Sequence, residues 1–341
     1  MDDPLAETRA WLGRETSFEG ADEVTLGDIR RKLEVYCCDC PLHYDEKAAQ
    51  AHGYRTVVAP VTLTHLWAME PYWSPGEPSA WAPGLREKNG TGRSDIPNPY
   101  TKGFNASSER EFFEPIYPGD RLHGSWKLTD IQQKTTRLGE GVFMTNEVSI
   151  YKQTGELVAI DRSTGFRYNP LSAEVERAQA ARRDAIPPPA EVPAANPEVD
   201  WSHQVHFEDV NVGDELPPYS LWLNYQRIVM SVAADRMFSS IHHNRDRARE
   251  GGLDDIIFNT LGYEIVFEIT LRRWMGLDGR IRKLGPFRMV KNSHPGDALL
   301  CHCRVTEKLV QDGAPLVRLD IAVENPRAES ARGEALVSLP A

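Results

Sequence analysis

Two short signals occur twice in this chain, in the same order and at nearly the same spacing. Pro-Gly-Asp-x-Leu appears in FEPIYPGDRLHGSWKLTDI (113–131) and again in NSHPGDALLCHCRVTEK (292–308). A Gly-Glu element follows 36 residues after the first PGD glycine (119 to 155) and 37 after the second (296 to 333). A repeat of this length means two copies of one supersecondary unit. After each PGD, polar and apolar side chains alternate with β-branched and aromatic enrichment (HGSWKLTDI, LLCHCRV), the period of half-buried antiparallel strands. Ahead of each lies a long apolar segment, VAPVTLTHLWAMEPYW (58–73) and FNTLGYEIVFEITLRRWMG (258–276), long enough for a helix wrapped in sheet. The expected class is therefore α+β, with one helix packed on a curved antiparallel sheet in each half.

The 341 residues suit two domains of ordinary size. A Pro-rich linker, 176–200, ends in AIPPPAEVPAANPEVD and separates a first domain, 1–175, from a second, 201–341. The first carries a Gly- and Pro-rich insert at 74–103 with Trp73 beside it and Trp81 within it, of the length usually found in functional loops.

Composition narrows the function. With 39 basic and 50 acidic residues the net charge is -11, which offers no electrostatic footprint for a nucleic-acid backbone. No stretch reaches the roughly 18 unbroken apolar residues of a membrane helix, and the acidic start MDDPLAETRAWL is unlike a signal peptide, so a cytoplasmic location is expected. A polyanionic ligand such as coenzyme A would need a local basic patch; RAREGG (247–252) and GRIRKLGPFR (279–288), with Arg282 and Lys283, are the candidates, against solvated surface charge as the plainer reading.

YCCDCPLHYDEKAA (36–49) gathers Cys37, Cys38, Cys40 and His43. The ligand types suit zinc, but the spacing does not supply two separated pairs. Cys301 and Cys303 share one face of a strand and suit small apolar packing. Reduced thiols are expected, and no metal.

The informative part of that stretch is its histidine turn, which is also repeated. PLHYD followed by GYRTVVAP, and IHHN followed by GGLDDIIFN, match a motif of Asp-x-Asn-Pro-x-His-x-Asp, a short helix, a glycine and an apolar strand entry. On these residues the chain resembles the MaoC-like family of double hot-dog hydratases and dehydratases, and FFEPIYPGDRL resembles the fatty-acid-synthase-like dehydratase half of such chains. The resemblance implies two tandem hot-dog folds, each a long central helix wrapped by a curved antiparallel sheet. It also implies addition or loss of water across the double bond of an acyl-CoA or acyl-carrier-protein thioester, through the (R)-3-hydroxyacyl isomer, with no metal or organic cofactor.

That chemistry needs a carboxylate and an imidazole sharing one water, and a backbone N–H aimed at the thioester oxygen. The resemblance assigns the imidazole to His242, or to His43 in the first half. The oxyanion donor would be an amide near Asn259 or Thr260, or, in the first half, one near 60–62 other than Pro60. The family's aspartate stands five residues before its histidine, where this chain has Met237 and Cys38. Asp235 and Asp39 are the nearest substitutes. Asn244, in place of the motif's last aspartate, is a substrate contact by resemblance and a helix N-cap by its chemistry. The leading expectation is a hydro-lyase acting on fatty-acid- or polyketide-type acyl groups. The alternatives are a silent acyl-binding subunit paired with a related hot-dog chain, or an enzyme using the same cavity for another addition or cyclisation on a bulky acyl substrate. A homodimer is compatible with either.

Overall fold

The computed structural model describes residues 3–79, 96–100, 102–136, 138–170, 191–250 and 252–341. Trp81, most of the 74–103 insert, and residues 176–190 of the expected linker lie outside the described residues.

The first half contributes strands β1 (Glu15–Glu23), β2 (Lys102–Phe112), β3 (Arg121–Thr136), β4 (Gly139–Lys152) and β5 (Leu157–Pro170). The second contributes β6 (Tyr219–Trp222), β7 (Arg280–Met289), β8 (Ala298–Gln311), β9 (Ala314–Glu324) and β10 (Glu329–Ser338). All ten form one antiparallel sheet in the order β1-β3-β4-β5-β2-β7-β10-β9-β8-β6. Read outward from the β2–β7 junction, each side runs in the same topological order, so the repeat in sequence has become a pseudo-twofold in space. The expected tandem hot-dog architecture is what the chain adopts. The PGD turns recur in detail: the Tyr117 amide donates to Asp120 at 2.9 Å and the His294 amide to Asp297 at 2.8 Å. Each aspartate closes the turn that launches its strand.

Helices α1 (Ala6–Arg9), α2 (Leu26–Tyr36), α3 (Glu46–Ala51) and α4 (Thr64–Trp67) belong to the first half. Helices α5 (Tyr225–Ala234), α6 (Arg245–Glu250) and α7 (Thr260–Met275) belong to the second. Helix α7 is buried nearly all round and starts at Asn259, whose side chain accepts from the Gly262 amide. That is the signature of a helix wrapped in sheet. Its first-half counterpart departs from expectation. The run 58–73 forms only a 3-10 turn, Val61–Leu63, followed by the four residues of α4. Pro71 pushes the preceding residue out of helical geometry, and the Ala21 amide of β1 takes the Met69 carbonyl at 2.9 Å. Gly20 permits the approach, since a Cβ there would lie 1.9 Å from the Trp67 carbonyl oxygen. The first sheet therefore has a concave face that no long helix fills.

The halves share one core, running from Phe18, Leu33 and Leu63 to Leu223, Phe267 and Val323. Cys301 and Cys303 are buried in it on β8, and all five cysteines are free thiols. Phe267 and Trp274 of α7 also pack in or against this core. Among the described residues no helix is long and apolar enough to cross a membrane.

Candidate active site

The two histidine turns superpose in their bonding. His43 ends the 3-10 turn Pro41–His43, and its Nδ1 lies 2.7 Å from the Val58 carbonyl. His242 ends the turn Ser240–His242, and its Nδ1 lies 2.8 Å from the Ile257 carbonyl, again fifteen residues on. A carbonyl only accepts, so Nδ1 carries the proton in both. In the neutral ring Nε2 is left as a lone-pair acceptor. Burial holds His43 down to about 4, and burial also lowers His242, against the pull of the Asp235 carboxylate.

The N-termini of the two central segments differ. In the first half the Glu268 carboxylate, reaching across from α7, accepts the Val61 amide and the Thr62 amide, each at 3.0 Å, and the Thr62 hydroxyl at 2.6 Å. The amides expected near 60–62 as oxyanion donors are thus already taken by an internal carboxylate. In the second half the Asn259 side chain takes Gly262, leaving the Thr260 and Leu261 amides with no acceptor from the helix or its cap. Both residues line a cavity of about 380 Å³.

That cavity lies against the concave face that α4 fails to cover. Its wall includes Met237, the residue at the motif's aspartate position, together with His65, Arg110, Asp161 and Glu264. Glu264 is one turn along α7 from Thr260. Burial raises its carboxyl to about 7, even though the Arg110 guanidinium lies 2.7 Å away. Arg110 is itself held by Asp161 at 2.6 Å. His65 donates from Nδ1 to the Thr62 carbonyl at 3.0 Å, and burial pushes it down to about 4. Its Nε2 has no hydrogen-bond partner.

Asp235, at the C-terminus of α5, is fully buried. Both its oxygens accept from Lys32 Nζ of α2 at 2.6 Å, and one also lies 3.3 Å from the Asn259 side-chain amide. His65 Nε2 is 3.8 Å from it. Asp235 thereby ties α2, α4, α5 and the cap of α7 together, and its charge reaches both His242 and Glu264. The other sequence candidates are more scattered. Asp39 is exposed, on the far side of Cys38 from α2. Asn244 is exposed and caps α6 by accepting the Arg247 amide at 3.1 Å. Lys283 pairs with Glu109 at 2.9 Å. Arg282 donates to Ser338 at 3.0 Å and lines a separate first-half cavity of about 360 Å³ with His43, Glu268, Arg272 and Arg280. Burial pushes the half-buried Cys38 thiol up to about 12 and the buried Cys40 thiol up to about 11, so neither is a ready nucleophile.

The sequence reading passed over Glu264, Glu268, His65 and Lys32. The signal for the first two was present: two carboxylates four residues apart in an otherwise apolar helix run. Lys32 had no such signal, because its partner lies 203 residues away.

Residues 10–161 match the family model described as FAS1-like, dehydratase domain region. A probable enoyl-CoA hydratase alpha subunit from Thermomonospora curvata is 33% identical over 169 residues, 49% of this chain and 52% of that one. A UPF0336 protein from Saccharopolyspora erythraea is 30% identical over 156 residues, 46% of this chain and 88% of that one. A solved structure titled MaoC-like dehydratase shares the fold over 98% of this chain and 99% of its own, with TM-score 0.72 and 19% identity. The chain shares the double hot-dog fold of MaoC-like dehydratases, and its residues 10–161 match the FAS1-like dehydratase region. It spans about half the length of the enoyl-CoA hydratase subunit it matches.

Proposed function

We propose that this protein is a hydro-lyase that adds or removes water across the 2,3 double bond of an acyl thioester, and that its second half carries the chemistry. The carrying observation is the contrast between the helix N-termini. The Thr260 and Leu261 amides have no acceptor from the helix or its cap and both residues line a cavity, while Glu268 accepts the amides at the equivalent place in the first half. A thioester oxygen gathers negative charge as the α-carbon gains or loses its proton, and free amides at a helix N-terminus stabilise it. A carboxylate already there repels it. The FAS1-like region and the name of the enoyl-CoA hydratase relative support the same reaction.

In this reading His242 holds the water through Nε2, and the buried Asp235 charge behind it favours a transient imidazolium. Glu264, with a carboxyl raised to about 7, exchanges the proton that the vacancy at Met237 leaves without a carboxylate. Water and proton arrive on one face, and this reading takes it to be the face that gives the (R)-3-hydroxyacyl isomer the resemblance implies. No step calls for a metal or organic cofactor.

The test is hydration of crotonyl-CoA by purified protein. His242→Ala should lose at least about 100-fold in kcat, the usual worth of a positioned acid–base group. Thr260→Pro removes one amide at a position where helices accept proline, and should cost about 100- to 1,000-fold if that amide serves the oxyanion. His43→Ala should leave kcat within about threefold, because the first half contributes no reacting group. If His43→Ala and not His242→Ala abolishes hydration, the assignment to the second half is wrong.

A second reading keeps the fold without the chemistry. Met237 and Cys38 both stand where the motif has aspartate, and the Thermomonospora relative is named as a subunit. A chain inert on every enoyl thioester, yet active when mixed with a second hot-dog subunit, would identify it as the supporting member of such a pair.

A further inference from the structure

The cavity between the halves has apolar walls in Met69, Trp126, Val148, Met237 and Leu261, but its sheet floor also carries a polar strip unsuited to an alkyl chain. On the concave face of the first sheet, register places Ser108 beside Ser163 and Ser163 beside Asn146. One row over, Arg110 lies beside Asp161 and Asp161 beside Val148. On β4 the inward positions read Val142, Met144, Asn146, Val148 and Ile150, and Asn146 is the one polar interruption. In the second half, where α7 covers the sheet, inward positions such as Phe287, Val323 and Cys301 are apolar and buried. Polar side chains therefore stand where no helix covers the sheet and the cavity lies.

What these groups lack is donors. Asn146 Oδ1 and His65 Nε2 are both shielded from solvent with no hydrogen-bond partner, and Nε2 is a lone pair because Nδ1 is protonated toward Thr62. Asp161 and Glu264 add carboxylate oxygens, and among the side chains lining the cavity Arg110 is the one cation, already shared between those two acids. An unmet buried acceptor costs free energy that a donor from a ligand recovers and a methylene group does not.

We propose that the acyl group accepted here is hydroxylated, with a hydroxyl hydrogen donated into the Asn146–His65 bed, and that straight alkyl acyl chains are disfavoured. This rests on the hydro-lyase reading for the site's identity. Glu264 and the Thr260 and Leu261 amides then face the thioester end of the same cavity, and the polar bed faces the acyl end.

The experiment has two arms. In the first, kcat/KM is compared for crotonyl-, 2-hexenoyl- and 2-octenoyl-CoA and for the 4-hydroxy and 5-hydroxy 2-enoyl-CoA esters, on wild type and Asn146→Leu. In the second, calorimetry measures binding of the saturated counterparts butyryl-, hexanoyl-, 4-hydroxybutyryl- and 5-hydroxyhexanoyl-CoA, which do not react. At least one hydroxylated ester should be preferred over the alkyl ester of equal length by about tenfold or more in wild type, and Asn146→Leu should erase or reverse that ratio. A wild-type preference rising with alkyl length, or a ratio unchanged in Asn146→Leu, overturns the inference while leaving a hydratase in place. If nothing is turned over, the hydro-lyase reading fails and the binding ratios alone decide the acyl class. Binding of no thioester overturns both.

Discussion

Glu264 is a carboxyl that burial has moved to about 7, on a cavity wall, one turn from a pair of unspent amides. A group so placed should write its titration into the rate. We expect kcat/KM for hydration to inflect between about pH 6 and 8, and Glu264→Gln to lose the inflection along with about 100-fold or more in rate. A wild-type profile flat across that window would remove Glu264 from proton transfer. His43 and His65 make a different prediction. Both are lowered from 6.5 to about 4 by burial, so between those values the unfolded chain binds protons that the folded chain refuses. Folding stability then falls as pH drops from about 6.5 toward 4, and is fully present above 6.5. The loss is on the order of 2–3 kcal/mol per histidine at the acid end. Urea melts at pH 7 and pH 4.5 should show it, and His43→Gln should flatten the dependence by about half. If the variant keeps the full acid loss, His43 is not one of its sources.

At the scale of elements, the contact between α2 and α5 is the pseudo-twofold in miniature. Lys32 pairs with Asp235, and Tyr36 bonds Ser231 at 2.7 Å, each helix offering positions four apart to its counterpart. Both members of the ion pair are almost completely buried, and burial pushes the Lys32 ammonium down against the pull of Asp235. Lys32→Met should leave Asp235 buried without its counter-charge and cost about 3–5 kcal/mol, while Lys32→Met with Asp235→Leu should recover most of that loss. A single mutant as stable as wild type in urea would show that the pair is not the clamp described here. This contact also shows what the sequence could not convey. The repeated turns were legible because they are local: Asp120 and Asp297 each close a turn three residues away, and each histidine bonds a carbonyl fifteen residues on. The shortening of the first-half helix was legible only in part: Pro71 marks a stop, but the end already at Trp67 depends on β1, through Ala21, holding Met69. The same holds for the site. The histidine turn and the N-terminus of α7 stand out in the sequence, but the cavity that Thr260 and Leu261 line lies where a helix predicted over 58–73 stops after one turn.

For the whole molecule, interactions of three kinds, among others, cross between the halves. β2 pairs with β7 through Ser108–Phe287 and Arg110–Leu284, Lys32 pairs with Asp235, and Glu268 of the second half caps Val61 and Thr62 of the first. Separation would expose a strand edge on each side, leave one buried charge on each without its partner, and strip the first half of the carboxylate that satisfies its helix start. The core itself runs through both halves without a break. Although the repeat reads as two domains, we therefore expect the two halves to fold as one cooperative unit. Residues 1–175 and 176–341, expressed as separate chains, should each aggregate or melt without cooperativity. Co-expressed, they should elute as a one-to-one complex that unfolds in a single transition and hydrates crotonyl-CoA within about tenfold of the intact chain. Chromatography with light scattering and a urea melt on each sample provide the check. If residues 1–175 alone give a soluble monomer with a sharp melt, the cross-half contacts hold two finished domains together and are not part of what folds them.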